Sequence, residues 1–232
     1  MNDSYGNKET KASGGEVLGR LQPAIALELQ SIARPVSYPQ GVVLFSEMDP
    51  AENVFLVLGG DVKLSINSRD GRRLILQIAG KGEIVGLASA LSGAPYEMTA
   101  ETLYPTKLGI LSRQEFLGAL LRHPEAYQTL IEELSRQFTR ACDQLRTLGL
   151  SSSAPQKLAR LLLDWSENGQ INGAGARFHF SLTHQEVGEF IGATRETVTR
   201  TLSEFKSRHL IAFHGSTLSI PNKIALESYA HC

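Results

Sequence analysis

Apolar residues follow three successive rhythms along the chain. In the first, Leu18, Leu21, Ile25, Leu27, Leu29 and Ile32 fall mostly on one helical face before Pro35, which predicts a short amphipathic helix. In the second, from Val36 to Leu111, short apolar or alternating runs (VVLF, NVFLVLGG, VKLSI, RRLILQIA, KLGIL) are separated by turn signals at Gly59-Gly60, Asp70-Gly71 and Gly80-Lys81-Gly82. That spacing predicts an antiparallel all-β sandwich or roll. Asp70-Gly71 marks the clearest hairpin, since both residues tolerate the positive φ of a tight primed turn. In the third, beyond Arg113, the period is helical, with Pro124 opening a long element. Ile131, Leu134, Phe138, Ala141, Leu145 and Leu148 step by 3, 4, 3, 4 and 3 residues, as the seam of a coiled coil does. The other faces carry Glu132, Glu133, Arg136, Gln137, Arg140, Asp143, Gln144 and Arg146, leaving a narrow stripe suited to one partner helix, here a second copy of the chain.

Gly149 and the run Ser151-Ser152-Ser153-Ala154-Pro155 end that helix and read as a hinge. A helix over Gln156 to Glu167 follows, with Leu158, Leu161, Leu162 and Trp165 inside, then a Gly-rich segment and a short strand from Arg177 to Ser181. Thr183-His184-Gln185-Glu186 has the form of a capping box and starts a short helix to Ile191. Gly192 permits a sharp turn, and Thr194 caps a second helix running to about Arg208. Helix, tight turn, helix is a DNA-binding unit. On the second helix Val198, Leu202 and Phe205 share one side, whereas Arg195, Glu196, Thr199, Arg200 and Ser203 share the other. LIAFHGSTLSI then reads as a hairpin around His214-Gly215-Ser216, a wing beside the helices. Four segments result: a polar tail over 1–16, a β-roll sensor over 17–122, a dimerisation helix over 123–149 and a winged helix-turn-helix over 150–232. The fold class is α+β.

The polar face has the chemistry of base recognition. Arg195 and Arg200 can each fork onto the two major-groove acceptors of a guanine, and Glu196 can accept from the amine of a cytosine. An acid between two arginines would weaken a patch built only for phosphate, but it makes sense where base edges are read. Thr199 shares that face. His184, Thr194, Thr197 and His214 are the expected phosphate contacts, which position a protein without specifying sequence. With 42% hydrophobic and 20% charged residues and a net charge of −1, bulk composition is that of an ordinary globular protein. From Ser151 onward eight Lys and Arg face seven Asp and Glu, so a DNA-binding surface must be local. No apolar run is long enough to span a bilayer and the polar start lacks the apolar middle of a secretion signal, so the expected compartment is the cytoplasm, without membrane contact. Ser-His-Asp, P-loop, HExxH and paired CxxC signatures are lacking, which argues against an enzyme.

LTHQEVGEFIGATRETVTRTLSEFKSRHLI, together with the GEIVG ending a β-roll strand, resembles the Crp/Fnr family of transcription regulators over nearly the whole chain after the tail. The Arg-Glu-Thr-Val-x-Arg string, Arg195 to Arg200, is similar to that of the family's cyclic-AMP-responsive branch. The resemblance implies a homodimer on a TGTGA-like inverted repeat, with RNA polymerase as a partner. The family's phosphate-binding cassette falls on Gly86-Leu87 and Tyr96-Glu97, with Met98, Thr99 and the dimer-helix pair Ala141-Cys142 beside it. Leu87 and Glu97 oppose a cyclic nucleotide, because a carboxylate stands where phosphate needs a cation. Cys142 and Cys232 are too few for the four ligands of an iron-sulfur cluster. For haem, the sensor offers only His123 near its edge. The effector is left unidentified, with constitutive activity as the other possibility. The competing reading is a small-molecule-binding β-roll whose helix-turn-helix serves protein contacts.

Overall fold

A computed structural model describes residues 17–150, 153–167, 170–172 and 175–230; the tail over 1–16 and the Ser151-Ser152 start of the hinge lie outside the described residues. The chain separates into two compact units. The backbone passes from one to the other between Thr139 and Arg140, and the excursion Asn67–Leu76 clusters with the second.

The first unit opens with α1 (Val17–Arg20) and α2 (Pro23–Ile32). The single helix expected here is two, because Pro23 starts a new helix at its first turn. Leu27 lies off the apolar face and is exposed. Eight strands follow: β1 (Arg34–Tyr38), β2 (Val43–Phe45), β3 (Asn53–Gly59), β4 (Val62–Asn67), β5 (Arg73–Ala79), β6 (Ile84–Val85), β7 (Thr99–Thr102) and β8 (Thr106–Ser112), with α3 (Leu87–Ser92) before β7. They form two antiparallel sheets in the orders β1-β8-β3-β6 and β2-β7-β4-β5, the roll read from the sequence. β3 is nearly continuously apolar because its sheet is covered on both faces. Val54 and Leu56 pack with Leu29, Phe116 and Leu120 of the helical layer, whereas Phe55 and Val57 pack with Phe45, Leu64 and Ala100 inside the roll. The β4–β5 hairpin departs from the primed turn expected. Gly71 alone takes positive φ (81°), its N–H donates to the Ser68 carbonyl at 3.0 Å, and Asp70 instead accepts from Ser68 and Arg72. A five-residue loop with glycine in the left-handed region closes it.

Ser112 and Glu115 form a capping box at the start of α4 (Arg113–Arg122), and after His123 the chain enters α5 (Ala126–Leu150), which runs through Gly149. Glu133, expected on a solvated face of α5, is fully buried, where it accepts from Arg20, Arg136 and Gln137. Those partners offset the cost of burying its charge.

The second unit comprises the C-terminal part of α5, α6 (Ala154–Glu167), β9 (Gln170–Asn172), β10 (Gly175–His179), α7 (His184–Ile191), α8 (Arg195–Ser207), β11 (Ala212–His214), β12 (Thr217–Ile220) and α9 (Lys223–Ala230), with sheet order β11-β12-β10-β9. Trp165 centres the core, its ring 5.6 Å from Phe180 and 5.4 Å from Phe190. Among the described residues no helix is long and apolar enough to cross a membrane.

At the edge of the first unit His123 bridges Glu125 and Glu28, and Glu28 also binds Arg122, tying α2 to α4. Hydrogen bonds to Glu125 and Glu28 hold His123 above the ordinary imidazole value, and Arg122 with His123 holds Glu28 below the carboxylate value. A raised histidine contributes stability that is full below its unfolded value and is lost as pH rises through the folded one. The melting-temperature advantage of the native protein over His123→Gln is therefore expected to shrink from about pH 6 to about pH 9, the side on which imidazole discharges. A constant difference across that range would show that the tie is not ionic.

Candidate nucleic-acid interface

The helix-turn-helix is assembled from local rules. The Thr183 side chain accepts from the Glu186 N–H while the Glu186 carboxylate accepts from the Thr183 N–H, the reciprocal capping read from the sequence. Gly192 ends α7 at φ 63°, and the Ala193 N–H returns to the Gly188 carbonyl at 2.9 Å. The turn is so tight that a Cβ on Gly188 would lie 2.5 Å from the Ala193 carbonyl oxygen. Thr194 then caps α8 by accepting from the Thr197 N–H at 3.3 Å. Val198, Thr201, Leu202 and Phe205 are buried, and the Thr201 hydroxyl donates to the Thr197 carbonyl. Thr201 belongs to the packed face, although polarity alone hid it.

Arg195, Glu196, Thr199, Arg200 and Ser203 are exposed together on the opposite side. Arg195 and Arg200 form no ion pair among the described residues. The Glu196 carboxyl is held below the usual range by its own backbone N–H, then by the Thr194 hydroxyl and the charge of Arg195. Near neutrality this face therefore presents two guanidinium forks and a carboxylate. His184, at the first turn of α7, places Nδ1 2.7 Å from the Thr199 hydroxyl, which itself lies 2.9 Å from the Arg195 carbonyl. The structure thus brings a residue expected on phosphate against one expected on bases. Thr194 and the half-buried Thr197 lie at the α8 N-terminus with hydroxyls 3.2 Å apart. His214 is apart from them, exposed on β11 where His214 pairs with Thr217 around Gly215 at φ 61°. Lys206, not singled out in the sequence, stands 4.6 Å over the Phe213 ring and adds a cation beside the hairpin. Its position six residues after Arg200 gave no signal without the fold.

In the roll, Gly86, Leu87, Tyr96, Glu97 and Met98 line one small cavity with Phe45, Gln77 and Gln137, whereas Thr99 and Cys142 do not reach it. Thr99 instead accepts from the Glu47 N–H, and Cys142 is half-buried on α5. The cavity has about 20 Å³ open to the centre of a water-sized sphere, room for about one water. The Tyr96 ring forms part of its wall. It stacks on Phe45 at 3.6 Å, donates its hydroxyl to the Asn53 carbonyl at 2.7 Å and lies 3.0 Å from where a Gly86 Cβ would be. Glu97 accepts from buried Ser89. No Lys or Arg lines the cavity, so these residues do not fit a nucleotide phosphate.

The seam residues divide. Ile131, Phe138 and Leu145, seven apart, are exposed by 61%, 72% and 65%. Leu134 packs partly into its own core, Leu148 lies within 3.3 Å of where a Gly192 Cβ would be, and Ala141 is half-buried.

A β-roll joined through a long helix to a helix-turn-helix with one exposed arginine-rich face defines a class of DNA-binding regulators. The Crp-like helix-turn-helix domain family matches residues 156–229 and the cyclic nucleotide-binding domain family matches residues 35–123. The CRP-like cAMP-activated global transcriptional regulator of Mycobacterium tuberculosis is 27% identical over 201 residues, 86% of this chain and 89% of that one. The transcriptional activatory protein AadR of Rhodopseudomonas palustris is 29% identical over 199 residues, covering 85% and 82%. The structure of FixK2 from Bradyrhizobium japonicum superposes with a TM-score of 0.75 at 25% identity, over 85% of this chain and 97% of that one. The chain belongs to the Crp/Fnr family and is a helix-turn-helix DNA-binding transcription regulator.

Gly188→Ala tests the turn. Alanine favours a helix by up to about 1 kcal/mol. Its methyl, however, meets a backbone oxygen that cannot swing away, and overpacking of this kind costs about 1–3 kcal/mol. Denaturant unfolding is expected to show net destabilisation, together with loss of DNA retardation. A variant as stable as the native protein would mean that the turn accommodates a Cβ.

Proposed function

We propose that the protein binds an inverted DNA repeat with TGTGA-like half-sites as a homodimer, under an unidentified effector or constitutively, in the cytoplasm and in concert with RNA polymerase. The observation that carries this reading is the α8 face: Arg195, Glu196, Thr199 and Arg200 exposed near the helix N-terminus, the end that enters the major groove in this motif. Thr194, Thr197, His184 and His214 take the phosphates around it. The β-roll over 17–122 is the sensor, 123–149 the dimer helix and 150–232 the DNA-binding domain. The heptad-spaced stripe Ile131, Phe138 and Leu145 supports self-pairing, since large apolar side chains so placed gain by burial against a partner helix. A two-fold dimer also matches an inverted repeat. The small cavity, with no Lys or Arg in its lining, speaks against a cyclic nucleotide as that effector.

Arg200→Ala is expected to weaken binding to a TGTGA-like palindrome by about 1–3 kcal/mol per half-site while changing scrambled duplex far less, because non-specific affinity comes from phosphate contacts. Titrations of both duplexes across a salt series measure this. Equal weakening on both, with a shallower salt slope, would make Arg200 a phosphate anchor. Ile131→Glu with Phe138→Glu, two exposed positions that leave the core intact, is expected to give folded monomers in sedimentation; a persistent dimer would place the interface elsewhere.

A further inference from the structure

Thr199 sits on the exposed face of α8, yet its hydroxyl is already engaged. That hydroxyl has one hydrogen to donate. It lies 2.9 Å from the Arg195 carbonyl, which can only accept, and 2.7 Å from His184 Nδ1. If the hydrogen goes to the carbonyl, Nδ1 carries its own proton and donates to the hydroxyl; if it goes to Nδ1, the imidazole is protonated on Nε2. In either tautomer the hydrogen is spent inside the protein, so Thr199 cannot donate to a base acceptor. Threonine in a helix divides between two rotamers, and bonding to the carbonyl one turn back selects one of them. His184, from the neighbouring helix, holds the oxygen in that rotamer. With its hydrogen spent the hydroxyl can only accept, and thymine offers no donor on its major-groove edge, so toward a thymine the group Thr199 has left to use is its methyl. Of the groups on major-groove edges, the partner of a methyl is the C5-methyl of thymine.

We infer that His184 is a positioning residue for sequence specificity: by occupying the Thr199 hydroxyl it leaves Thr199 to read a thymine through methyl contact rather than through a hydrogen bond. This deepens the reading of α8 as a groove-facing helix and rests on it. It also gives His184 a role beside a phosphate contact, which needs a proton on Nε2 as well.

Uracil isolates the effect, since it has every hydrogen-bonding group of thymine and lacks only the methyl. The test measures the full-length protein on its best-bound palindrome, with thymines replaced by uracil one symmetric pair at a time. The native protein is expected to lose affinity at one position, about fourfold for one half-site and about fifteenfold for both, the size that burial of one methyl group implies. Thr199→Val should keep that loss and Thr199→Ser should abolish it. His184→Ala should reduce it, and His184→Asn, whose amide reaches the position of Nδ1, should restore it. Melting curves confirm that each surface variant is folded. Uracil tolerated everywhere by a native protein that still prefers the palindrome would overturn the inference alone. So would a loss retained by Thr199→Ser and abolished by Thr199→Val, which would make the hydroxyl the reader, or a loss untouched by His184→Ala. A native protein with no sequence preference at all would overturn the parent reading and this one with it.

Discussion

The carbonyl oxygen of Ala193 stands 2.5 Å from where a side chain on Gly188 would begin, and the direction of α8 depends on that approach. With no Cβ between them, α7 and the turn close until the Ala193 N–H reaches the Gly188 carbonyl. Thr194 then falls where it can cap the next helix. Packing of Val198, Leu202 and Phe205 fixes the rotation of α8, and the polar side follows as the remainder. The arginines need no contacts of their own to be aimed. They are held by an apolar face and two caps, which keeps their donors free for a ligand rather than spent on the protein.

The roll is built on the opposite principle. β3 is buried on both faces, so it offers no surface of its own to a ligand, and the family's effector cassette lies inside the roll. There Tyr96 lines the cavity. Burial pushes its phenol above the ordinary value, so the ring stays neutral and packs on Phe45 as a core residue with one polar end satisfied by Asn53. A domain of the cyclic nucleotide-binding family thus carries a small cavity without a cation, lined by Gln77, Glu97 and Gln137 as well as apolar side chains. Gln137 of α5 lines the same cavity as Tyr96, so the helix that carries the exposed stripe also forms part of its wall.

The parts that were legible in the sequence are those governed by local rules. The capping box at Thr183, the positive-φ Gly192 and the alternation of Val198, Leu202 and Phe205 with Arg195, Thr199 and Arg200 all act within a few residues. The strand runs were equally plain, because turn residues separate them. What the sequence concealed depends on distant partners. Glu133 looked solvated because its neighbours along α5 are polar, and its burial also rests on Arg20, which arrives from α1 to join Arg136 and Gln137 of its own helix. Leu134 and Leu148 keep the seam's spacing, but their own units claim part of their surface. Asp70 is the local exception: its partners Ser68 and Arg72 are two residues away on either side, and it serves them as an acceptor where the left-handed region was expected. The meeting of His184 with Thr199 joins two helices across a turn, a relation no spacing rule encodes.

The reading proposed for α8 is an exposed face that reads base sequence in two symmetric copies. Selection of bound molecules from random duplex by the full-length protein, followed by sequencing, tests it without presupposing a site. The expected result is enrichment of an inverted repeat with half-site centres one helical turn, about 10 base pairs, apart or a multiple of it, with guanine and cytosine invariant in each half. A bound pool as random as its input, from protein shown to be folded, would contradict it.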